Sequence, residues 1–317
     1  MSKFKRADLT KVKTISIKKR KSKVTPADFA KVFDGARDSF AAFADSLPKI
    51  LVAEDLRLLV DDIVASRKKD KPVILMMGAH VIKVGLSPVL IDLIKRNIIT
   101  AVAMNSAAAI HDVETAMWGQ TSEDVAVNIL DGRFGMARET GELMNQTLSD
   151  AFKNSDMGYG EALGRKLLAL DAPNANVSLL ATCYSLNVPI TIHAAIGTDI
   201  IHQQPTMDGA ATGELSFRDF KALAETCKGL IGGGVVLNIG SAVIMPEVFL
   251  KALTVARNLG AKAKGFTTAV FDMNVHYRPT MNVKLRPTQD GGRGLYFTGH
   301  HEIMVPLLAA MVKARMG

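Results

Sequence analysis

Three ionisable residues, His111, Asp112 and Glu114, stand close together after an apolar run of this 317-residue sequence. Burying such groups beside Asn105 and Ser106 is costly unless they serve a purpose. Acidic residues in the first turn of a helix can also be purely structural, because they stabilise the helix dipole. His111 fits neither a cap nor an apolar stripe, and imidazole is the side chain that exchanges a proton most readily near neutral pH. We therefore predict that this segment belongs to a functional site.

Small or polar residues follow other apolar runs in the same way. The segments at the ends of these runs are Met77–Lys83, Met104–Glu114, Ala195–Asp199, Asn238–Ser241 and Phe266–Asp272. In an open parallel sheet, ligands bind in the crevice at the carboxyl ends of the strands. If these runs are strands of one such sheet, we expect their ends to form a single site.

The sequence contains neither the Gly-x-Gly-x-x-Gly dinucleotide fingerprint nor a P-loop, so any nucleotide must be held differently. Gly240 and Ser241 stand between a predicted strand and a predicted helix, where the backbone can approach a phosphate. Gly232–Gly234 precedes a strand instead and is interpreted as a turn. No Gly-x-Ser-x-Gly nucleophile motif occurs, which argues against the hydrolases that use it. The other histidines lack the spacing of a metal site and are interpreted as core or surface residues: His193, His202, His300 and His301.

The basic character of the sequence is concentrated at its start. Residues 1–24 hold ten Lys or Arg and one Asp, a charge of +9, whereas the whole chain has a net charge of +8. Residues 25–317 therefore carry −1, which argues against a basic body that binds nucleic acid along one face. We expect the arm 1–24 to recruit an anionic partner, nucleic acid included, or to be solvated or packed on a neighbouring subunit.

The two cysteines, Cys183 and Cys227, are too few for a disulfide framework, which fits a reducing compartment. No apolar stretch is long enough to span a membrane, and the basic start lacks the apolar region of a secretory signal. The sequence thus predicts a cytoplasmic protein without a membrane partner.

Apolar runs that alternate with helical periodicity predict an α/β fold, a Rossmann-like parallel sheet flanked by helices. The predicted strands are Pro72–Met77, Ile99–Met104, Val188–His193, Gly234–Ile239 and Lys264–Ala269. The predicted helices are Ala53–Arg67, Ser87–Lys95, Ala107–Trp118, Phe217–Cys227, Pro246–Asn258 and Glu302–Met316, with a further helical stretch from Thr25. We expect one domain over residues 25–317, with a helical N-terminal part at 25–70 and a helical insertion at about 119–175. Thr121 and Ser122 are predicted to cap the first helix of that insertion.

Short segments between about residues 70 and 315 resemble the deoxyhypusine synthase family. The best matches are Gly85–Lys95, Ala101–Asp112, Ile196–Asp199, Thr268–Asp272, Arg278–Pro279 and Val305–Leu308. This resemblance implies a cytosolic homotetramer with an NAD-binding Rossmann-like fold and active sites at subunit interfaces. By position, it assigns NAD binding to Gly78, Ala79, His80, Val81, Asn105, Ser106, Gly240, Ser241, Thr268, Ala269 and Asp272, and binding of the substrate amine to Asp199.

The sequence departs from this family at some of its catalytic positions. The family's imine-forming lysine corresponds to Pro287, and the nearest lysine is Lys284, which becomes the candidate catalytic lysine. The family's paired glutamates correspond to His111 and Asp112, and its polyamine-site histidine falls near Met245.

The segment Asn105–Glu114 is also similar to the NAD-binding domain of certain bacterial and archaeal ornithine cyclodeaminases. Both families oxidise the carbon of a primary amine with NAD. The resemblances therefore imply a deoxyhypusine synthase-like, NAD-dependent transferase or amine-oxidising enzyme that acts on a polyamine, diamine or basic amino acid. Acidic side chains would hold the cationic amine, and His111 would act as its base. The predicted catalytic residues are His111, Asp112, Asp199 and Lys284, with Glu114 and Asp199 binding the substrate.

Two alternatives stay open at this point. In an ornithine cyclodeaminase-like enzyme, the second amine of the substrate attacks the imine, so no lysine nucleophile is needed. In a non-catalytic oligomeric scaffold, NAD is bound without turnover, and the arm 1–24 recruits the partner. No metal is expected in any of these cases.

Overall fold

The computed structural model describes residues 2–317, in two units: residues up to Glu54, and Asp55–Gly317. This boundary lies inside the range 25–317 that the sequence predicts as one domain. The first unit contains 3-10 turns at Leu9–Lys11, Ile17–Lys19 and Pro26–Asp28, and helix α1 (Phe40–Ser46).

The predicted helix from Thr25 is wrong. The carboxylate of Asp28 accepts hydrogen bonds from the backbone N–H and the hydroxyl of Thr25, at 2.8 and 2.9 Å, and these bonds close a single 3-10 turn. Phe29, directly after the turn, is already extended. Thr25 therefore caps the segment as predicted, but the segment is a 3-10 turn of three residues and not a helix.

Across the described residues, six parallel strands form one sheet in the order β3-β2-β1-β4-β5-β6. The strands are β1 (Val73–Met77), β2 (Ala101–Asn105), β3 (Ile190–His193), β4 (Val235–Ile239), β5 (Thr267–Asp272) and β6 (Arg293–Thr298). The chain runs from β1 outward to β3, returns to β4 beside β1, and then runs outward to β6. The strand order reverses between β1 and β4, and open α/β sheets bind ligands at such a reversal. The predicted fold class, an α/β fold with a Rossmann-like parallel sheet, is confirmed.

Helices flank the sheet or belong to the segments between its strands. They are α2 (Leu51–Lys68), α3 (His80–Lys83), α4 (Ser87–Lys95), α5 (Ser106–Trp118), α6 (Val125–Asn128), α7 (Arg138–Asn154), α8 (Tyr159–Ala169), α9 (Leu179–Ser185), α10 (Gly209–Lys228), α11 (Ile244–Asn258), α12 (Tyr277–Pro279), which continues into a π-helical segment (Thr280–Leu285), and α13 (His301–Met316). Helices α10 and α11 pack together over one face, where Phe249 and Cys227 join apolar side chains of β1, β2, β4 and β5 in the core. Helices α4 and α13 contact each other, and right-handed crossovers place α4 on the opposite face. Within residues 2–317 no helix has both the length and the apolarity to cross a bilayer.

The central strands and helix α4 agree with the bounds predicted from the sequence, whereas the β5–β6 edge of the sheet does not. Helix α4 spans the predicted residues, and β1, β2 and β4 lie within two residues of their predicted bounds. Strand β5 runs three residues further than predicted, to Asp272, and β6 is absent from the predicted strands. β6 pairs only with β5 and is partly exposed, so it lacks the apolar run of a strand buried on both faces.

The insertion at 119–175 is helical, as predicted, and contains no strand. The predicted cap at Thr121 and Ser122 is wrong, because α6 begins at Val125. The carboxylate of Asp124 caps this helix by accepting from Val127 N at 3.2 Å. Ser122 has a φ of 71°, in the left-handed region, so it marks a turn before the helix.

Candidate functional site

The ends of β1 and β4 approach each other closely at the reversal of the strand order. Gly78 follows β1 and donates its backbone N–H to Ile239 O of β4 at 3.1 Å. A Cβ at Gly78 would overlap the carbonyl oxygen of Gly240, and Gly240 has a φ of 66°. Both positions therefore require glycine, one for the close approach and the other for the left-handed turn that leads towards α11.

Two buried polar atoms at this crevice have no hydrogen-bond partner among residues 2–317. One is Nδ1 of His301, whose Nε2 lies 3.2 Å from Phe271 O and whose ring packs edge-on against His80 with centroids 5.6 Å apart. The other is Oδ1 of Asn238, whose Nδ2 donates to Ser241 O at 2.9 Å. An unpartnered buried polar atom costs about 1–3 kcal/mol, so a ligand with hydroxyl or amide groups would be stabilised here.

From the sequence, His301 was interpreted as a core or surface histidine and Asn238 only as the first residue of the strand-end segment Asn238–Ser241, and neither was predicted as an NAD-binding residue. His301 opens α13 directly after β6, and the missing β6 concealed that it stands at a strand end. Asn238 is a polar residue inside an apolar strand, and its amide is the only feature of that part of the sequence that indicates a polar environment.

Most predicted NAD-binding residues lie at the carboxyl edge of the sheet. Ala79 and His80 follow Gly78, and Asp272 ends β5, where its carboxylate accepts from Asn274 N at 3.3 Å. Ser241 follows β4, and its hydroxyl accepts from Met245 N at 3.2 Å and so holds the first turn of α11. Asn105 caps α5 through Ala108 N at 3.1 Å. The side chain of Val81 is fully buried in the core, so only its backbone can face a ligand.

Thr268 and Ala269 do not lie at this edge, contrary to the sequence prediction. They stand inside β5, opposite Val236 and Leu237 of β4, and the Thr268 hydroxyl donates to Val283 O at 2.7 Å. The prediction ended β5 at Ala269, whereas the strand continues to Asp272. The strand end, and with it the site, is therefore three residues further along.

Lys284 is not at the site either. It lies in the π-helical segment, directly against Gly294, because a Cβ added at Gly294 would overlap the carbonyl oxygen of Lys284. Gly294 is the second residue of β6 and pairs with Thr268, the second residue of β5. Lys284 is therefore beside the amino ends of these strands, at the edge opposite the crevice.

Asp112 has a structural position rather than a catalytic one. Its carboxylate is fully buried and accepts from Ser178 Oγ at 2.5 Å, Leu179 N at 2.8 Å and Leu180 N at 3.1 Å. These bonds hold the N-terminus of α9. Burial raises the pKa of Asp112 to about 6, although the three hydrogen bonds oppose the shift.

A cavity of about 700 Å³ lies beside α5, a volume suited to a small molecule. The polar and charged residues that line it include Lys83, His111, Glu114, Thr121, Thr140 and Asp199. Three of the four predicted acid–base and binding residues on this side of the sheet, namely His111, Glu114 and Asp199, thus come together, and Asp112 stays outside.

A chain of hydrogen bonds orients His111 inside the cavity. Thr121 donates its hydroxyl hydrogen to Glu114 Oε2 at 2.5 Å, and Thr140 donates to Glu114 Oε1 at 3.0 Å. Because the Thr121 hydrogen is engaged with Glu114, the contact of 2.6 Å between Thr121 Oγ1 and His111 Nδ1 requires a proton on Nδ1. The neutral imidazole therefore carries its free lone pair on Nε2, the nitrogen that takes no part in this chain of hydrogen bonds.

The charge state of His111 leaves its Nε2 free to accept a proton, while a pKa this low makes the imidazole a weak base. Burial lowers the pKa of His111 to about 4, and the nearby positive charge of Lys83 lowers it as well. At neutral pH the imidazole is thus unprotonated and can accept a proton.

Asp199 lies on the loop after β3, at the other side of the cavity. Its Oδ2 accepts a hydrogen bond from the hydroxyl of Ser106, and its side chain is only 6% exposed. Burial raises the pKa of Asp199, while Ser106 and His202 oppose the shift. His202 Nδ1 accepts from the backbone N–H groups of Gly197 and Asp199, each at 3.2 Å, and so fixes the loop that carries the carboxylate. Sequence reasoning assigned His202 to the core or surface and missed this role.

No three His, Cys, Asp or Glu side chains are grouped as metal ligands in the part of the chain that the structure describes.

No protein-family model and no curated protein matches this chain. Solved structures are similar to it. One is AgrE in a ternary complex with ornithine and NAD+, with a TM-score of 0.54 and 14% identity over 82% of this chain and 33% of AgrE. A candidate LOR/SDH protein from Methanococcus maripaludis S2 has a TM-score of 0.50 and 14% identity, over 89% of this chain and 72% of that one. A candidate deoxyhypusine synthase from Entamoeba histolytica has a TM-score of 0.50 and 12% identity, over 90% and 96%.

At these identities the comparisons establish a shared fold. The chain spans about a third of the length of AgrE.

Proposed function

We propose that this protein is an NAD-dependent enzyme that oxidises the carbon bearing a primary amine of a small cationic substrate. The observation that carries the proposal is a neutral, oriented His111 that shares a cavity with the buried carboxylate of Asp199. Helix α3 joins this cavity to the crevice, because His80 packs on His301 at the crevice and Lys83 lines the cavity.

The residues at the reversal of the strand order fit a dinucleotide. Gly78 and Gly240 keep the crevice free of side chains, and Asn238 and His301 offer unpartnered buried atoms to hydroxyl or amide groups. Ala79, His80, Ser241 and Asp272 complete the set that would hold NAD. When bound, NAD would accept a hydride from the amine-bearing carbon.

The residues of the cavity would supply binding and proton transfer. Asp199 holds the ammonium group of the substrate, and its burial strengthens that attraction. His111 Nε2 takes a proton from the ammonium, since hydride can leave the carbon only when the nitrogen has a free electron pair. Glu114 then stabilises the resulting imidazolium through the Thr121 hydroxyl. We therefore assign Glu114 to positioning His111, because both of its oxygens already accept hydroxyl hydrogens.

A cyclodeaminase-like outcome, in which the substrate's own second amine captures the imine, is the second candidate. It is favoured over transfer through a protein lysine because Lys284 lies at the opposite edge of the sheet, and the family's lysine position is Pro287. AgrE, a structure with the same fold, was solved with ornithine and NAD+. Polyamine specificity, a homotetramer with interfacial sites and a cytoplasmic location stay predictions.

The test is NADH formation, followed by absorbance, with NAD and a panel of spermidine, putrescine, homospermidine, ornithine and lysine. We expect one or more amines to give NADH, and His111→Ala to lower kcat about 10²–10⁴-fold, the usual contribution of a general base. Asp199→Asn should raise KM strongly. Asp156→Asn is the matched control, because Asp156 is exposed and does not line the cavity.

Product analysis separates the outcomes. Proline from ornithine would indicate the cyclodeaminase-like reaction. NAD binding by calorimetry without turnover of any amine would instead favour the non-catalytic scaffold and overturn the proposal.

A further inference from the structure

Residues 120–134, between α5 and α7, form one wall of the cavity without belonging to the core. The residues of this segment that line the cavity are Gln120, Thr121, Ser122, Glu123, Val125 and Phe134. None of the residues 120–134, all of which the structure describes, is buried. Segments with few buried side chains open locally at low free energy, and the loops that move over active sites are drawn from them.

A glycine in the left-handed region stands at each end of this segment. Gly119 ends α5 with a φ of 69°, and its backbone N–H donates to Thr115 O at 3.0 Å. Gly135 has a φ of 75° and is buried, and a Cβ there would overlap Ile200 and Gln203. Glycine adopts such φ values without a steric penalty. The movable part of the chain therefore lies between these two residues.

The second end of the segment is held at Gly135. Gln203 Nε2 donates to Phe134 O at 2.7 Å, directly before this glycine. Glu123 Oε1 accepts from Gly135 N at 2.8 Å, so this bond joins the beginning of the segment to its own end. These bonds can persist when the segment moves relative to α5.

The first half of the segment is held against α5 by Thr121. Its hydroxyl donates to Glu114 Oε2 at 2.5 Å and lies 2.6 Å from His111 Nδ1. The same hydroxyl thus fixes the segment and orients the base. If the segment moved away, His111 Nδ1 would lose its acceptor and water would fill the cavity, which would weaken the attraction between Asp199 and an ammonium group.

We infer that residues 120–134 are a lid, which opens to admit the substrate amine and closes over it. The Thr121 hydroxyl orients His111 only when the lid is closed, so that closure completes the base. This inference rests on the proposed function, because the lid controls access to the same cavity.

The test is hydrogen–deuterium exchange of the full chain, read by mass spectrometry. The ligand is the amine of the panel that binds most tightly by calorimetry, with NADH in place of NAD so that no hydride can be transferred. We expect residues 120–134 to exchange rapidly in the free protein and about tenfold more slowly in the complex, because closure lowers the open population. The largely exposed turn at 259–262, outside the cavity, should exchange at the same rate in both states.

Variants of Thr121 test its link to the base. Thr121→Val removes the hydroxyl at similar size, and we expect it to weaken the protection of the lid and to lower kcat about 10–100-fold, the range of a hydrogen bond to a charged group. Thr121→Ser keeps the hydroxyl and should retain both properties. Thr254→Val, at an exposed position of α11 outside the cavity, is the matched control and should change neither. Thermal unfolding would verify that each variant is folded.

Two results would overturn the inference. One is an unchanged exchange rate of residues 120–134 when calorimetry shows that the amine is bound. The other is full protection of the lid in Thr121→Val, because Thr121 would then orient His111 from a fixed wall.

The same data separate the lid from the proposed function. NADH formation with unchanged exchange of residues 120–134 would support the amine-oxidising enzyme and reject the lid. Slowed exchange on amine binding, lost in Thr121→Val but without NADH from any amine, would retain the lid and reject the enzyme.

Discussion

At the scale of single residues, the position of the proton on His111 follows from its neighbours. The Thr121 hydroxyl donates its only hydrogen to Glu114, so towards His111 Nδ1 it can only accept. This one hydroxyl therefore leaves Nε2 as the imidazole nitrogen that can act as a base. The sequence placed His111 and Glu114 in a functional segment, but Thr121 was read as a helix cap. Ten residues separate Thr121 from His111, and only the turn between α5 and α6 brings them together.

This arrangement predicts an unusual pH dependence. The pKa of His111 is lowered from the ordinary 6.5 to about 4, so the base stays unprotonated down to that pH. We expect kcat/KM to show no loss of the base near pH 6.5 and to fall at lower pH, where His111 and the Asp199 carboxylate become protonated. Lys83→Met, which removes a neighbouring positive charge, should raise the pKa of His111 towards its ordinary value.

The measurement is an NMR titration of the His111 imidazole, assigned with His111→Gln, alongside the pH–rate profile. Protonation also bears on stability. The unfolded chain binds this proton below about pH 6.5 and the folded chain only below about pH 4, so the contribution of His111 to stability is lost as the pH falls between these values. An imidazole that titrates near 6.5 would contradict the prediction.

Asp112 supports a different prediction, because its three hydrogen bonds serve the N-terminus of α9. Asp112→Ala would leave three buried donors unpartnered and should lower the free energy of unfolding by about 2–4 kcal/mol. Its folded fraction should retain turnover. Urea unfolding is the measurement, with the exposed Asp156→Ala as control. If Asp112→Ala abolished turnover without lowering the free energy of unfolding, Asp112 would be a catalytic residue, as the sequence predicted.

At the scale of elements, the sequence was informative where strands are buried on both faces. The apolar runs of β1 and β4 fixed their ends within a residue, so Gly78 and Gly240 were identified correctly as strand-end residues. The polar residues of β6 gave no such signal, and the prediction ended β5 at Ala269 although Val270 and Phe271 continue its apolar run. The resemblance to the deoxyhypusine synthase family assigned Thr268 and Ala269 to the NAD site, whereas β5 continues to Asp272.

The close approach between the ends of β1 and β4 can be tested by adding one methyl group at Gly78. Gly78→Ala would bring its Cβ against Gly240 O, whereas Gly213→Ala, in α10, has open space around the new Cβ. We expect Gly78→Ala to lower the free energy of unfolding by about 1–3 kcal/mol and to weaken NAD binding. Gly213→Ala should be neutral or stabilise by up to about 1 kcal/mol. Equal behaviour of the two variants in urea unfolding and in calorimetry with NAD would contradict the role given to this crevice.

At the scale of the whole molecule, alternating strand and helix patterns were enough to predict the fold class. They could not specify the strand order, because more than eighty residues, the helical insertion among them, separate β2 from β3. The cavity depends on that insertion, since Thr121 and Thr140 belong to it. Its contacts with α5 are long-range and leave no periodic pattern in the sequence.

The uneven charge of the chain yields the last prediction. Residues 1–24 carry +9 and residues 25–317 carry −1, and the 3-10 turns at Leu9–Lys11 and Ile17–Lys19 bury no residue. Removing the arm should therefore leave the thermal unfolding and the turnover of the protein unchanged. It should abolish retention on heparin at low salt, because counterion release from the polyanion requires the clustered lysines and arginines. Retention of the truncated protein would place the anion-binding charge elsewhere, and loss of turnover would mean that the arm contributes to the site.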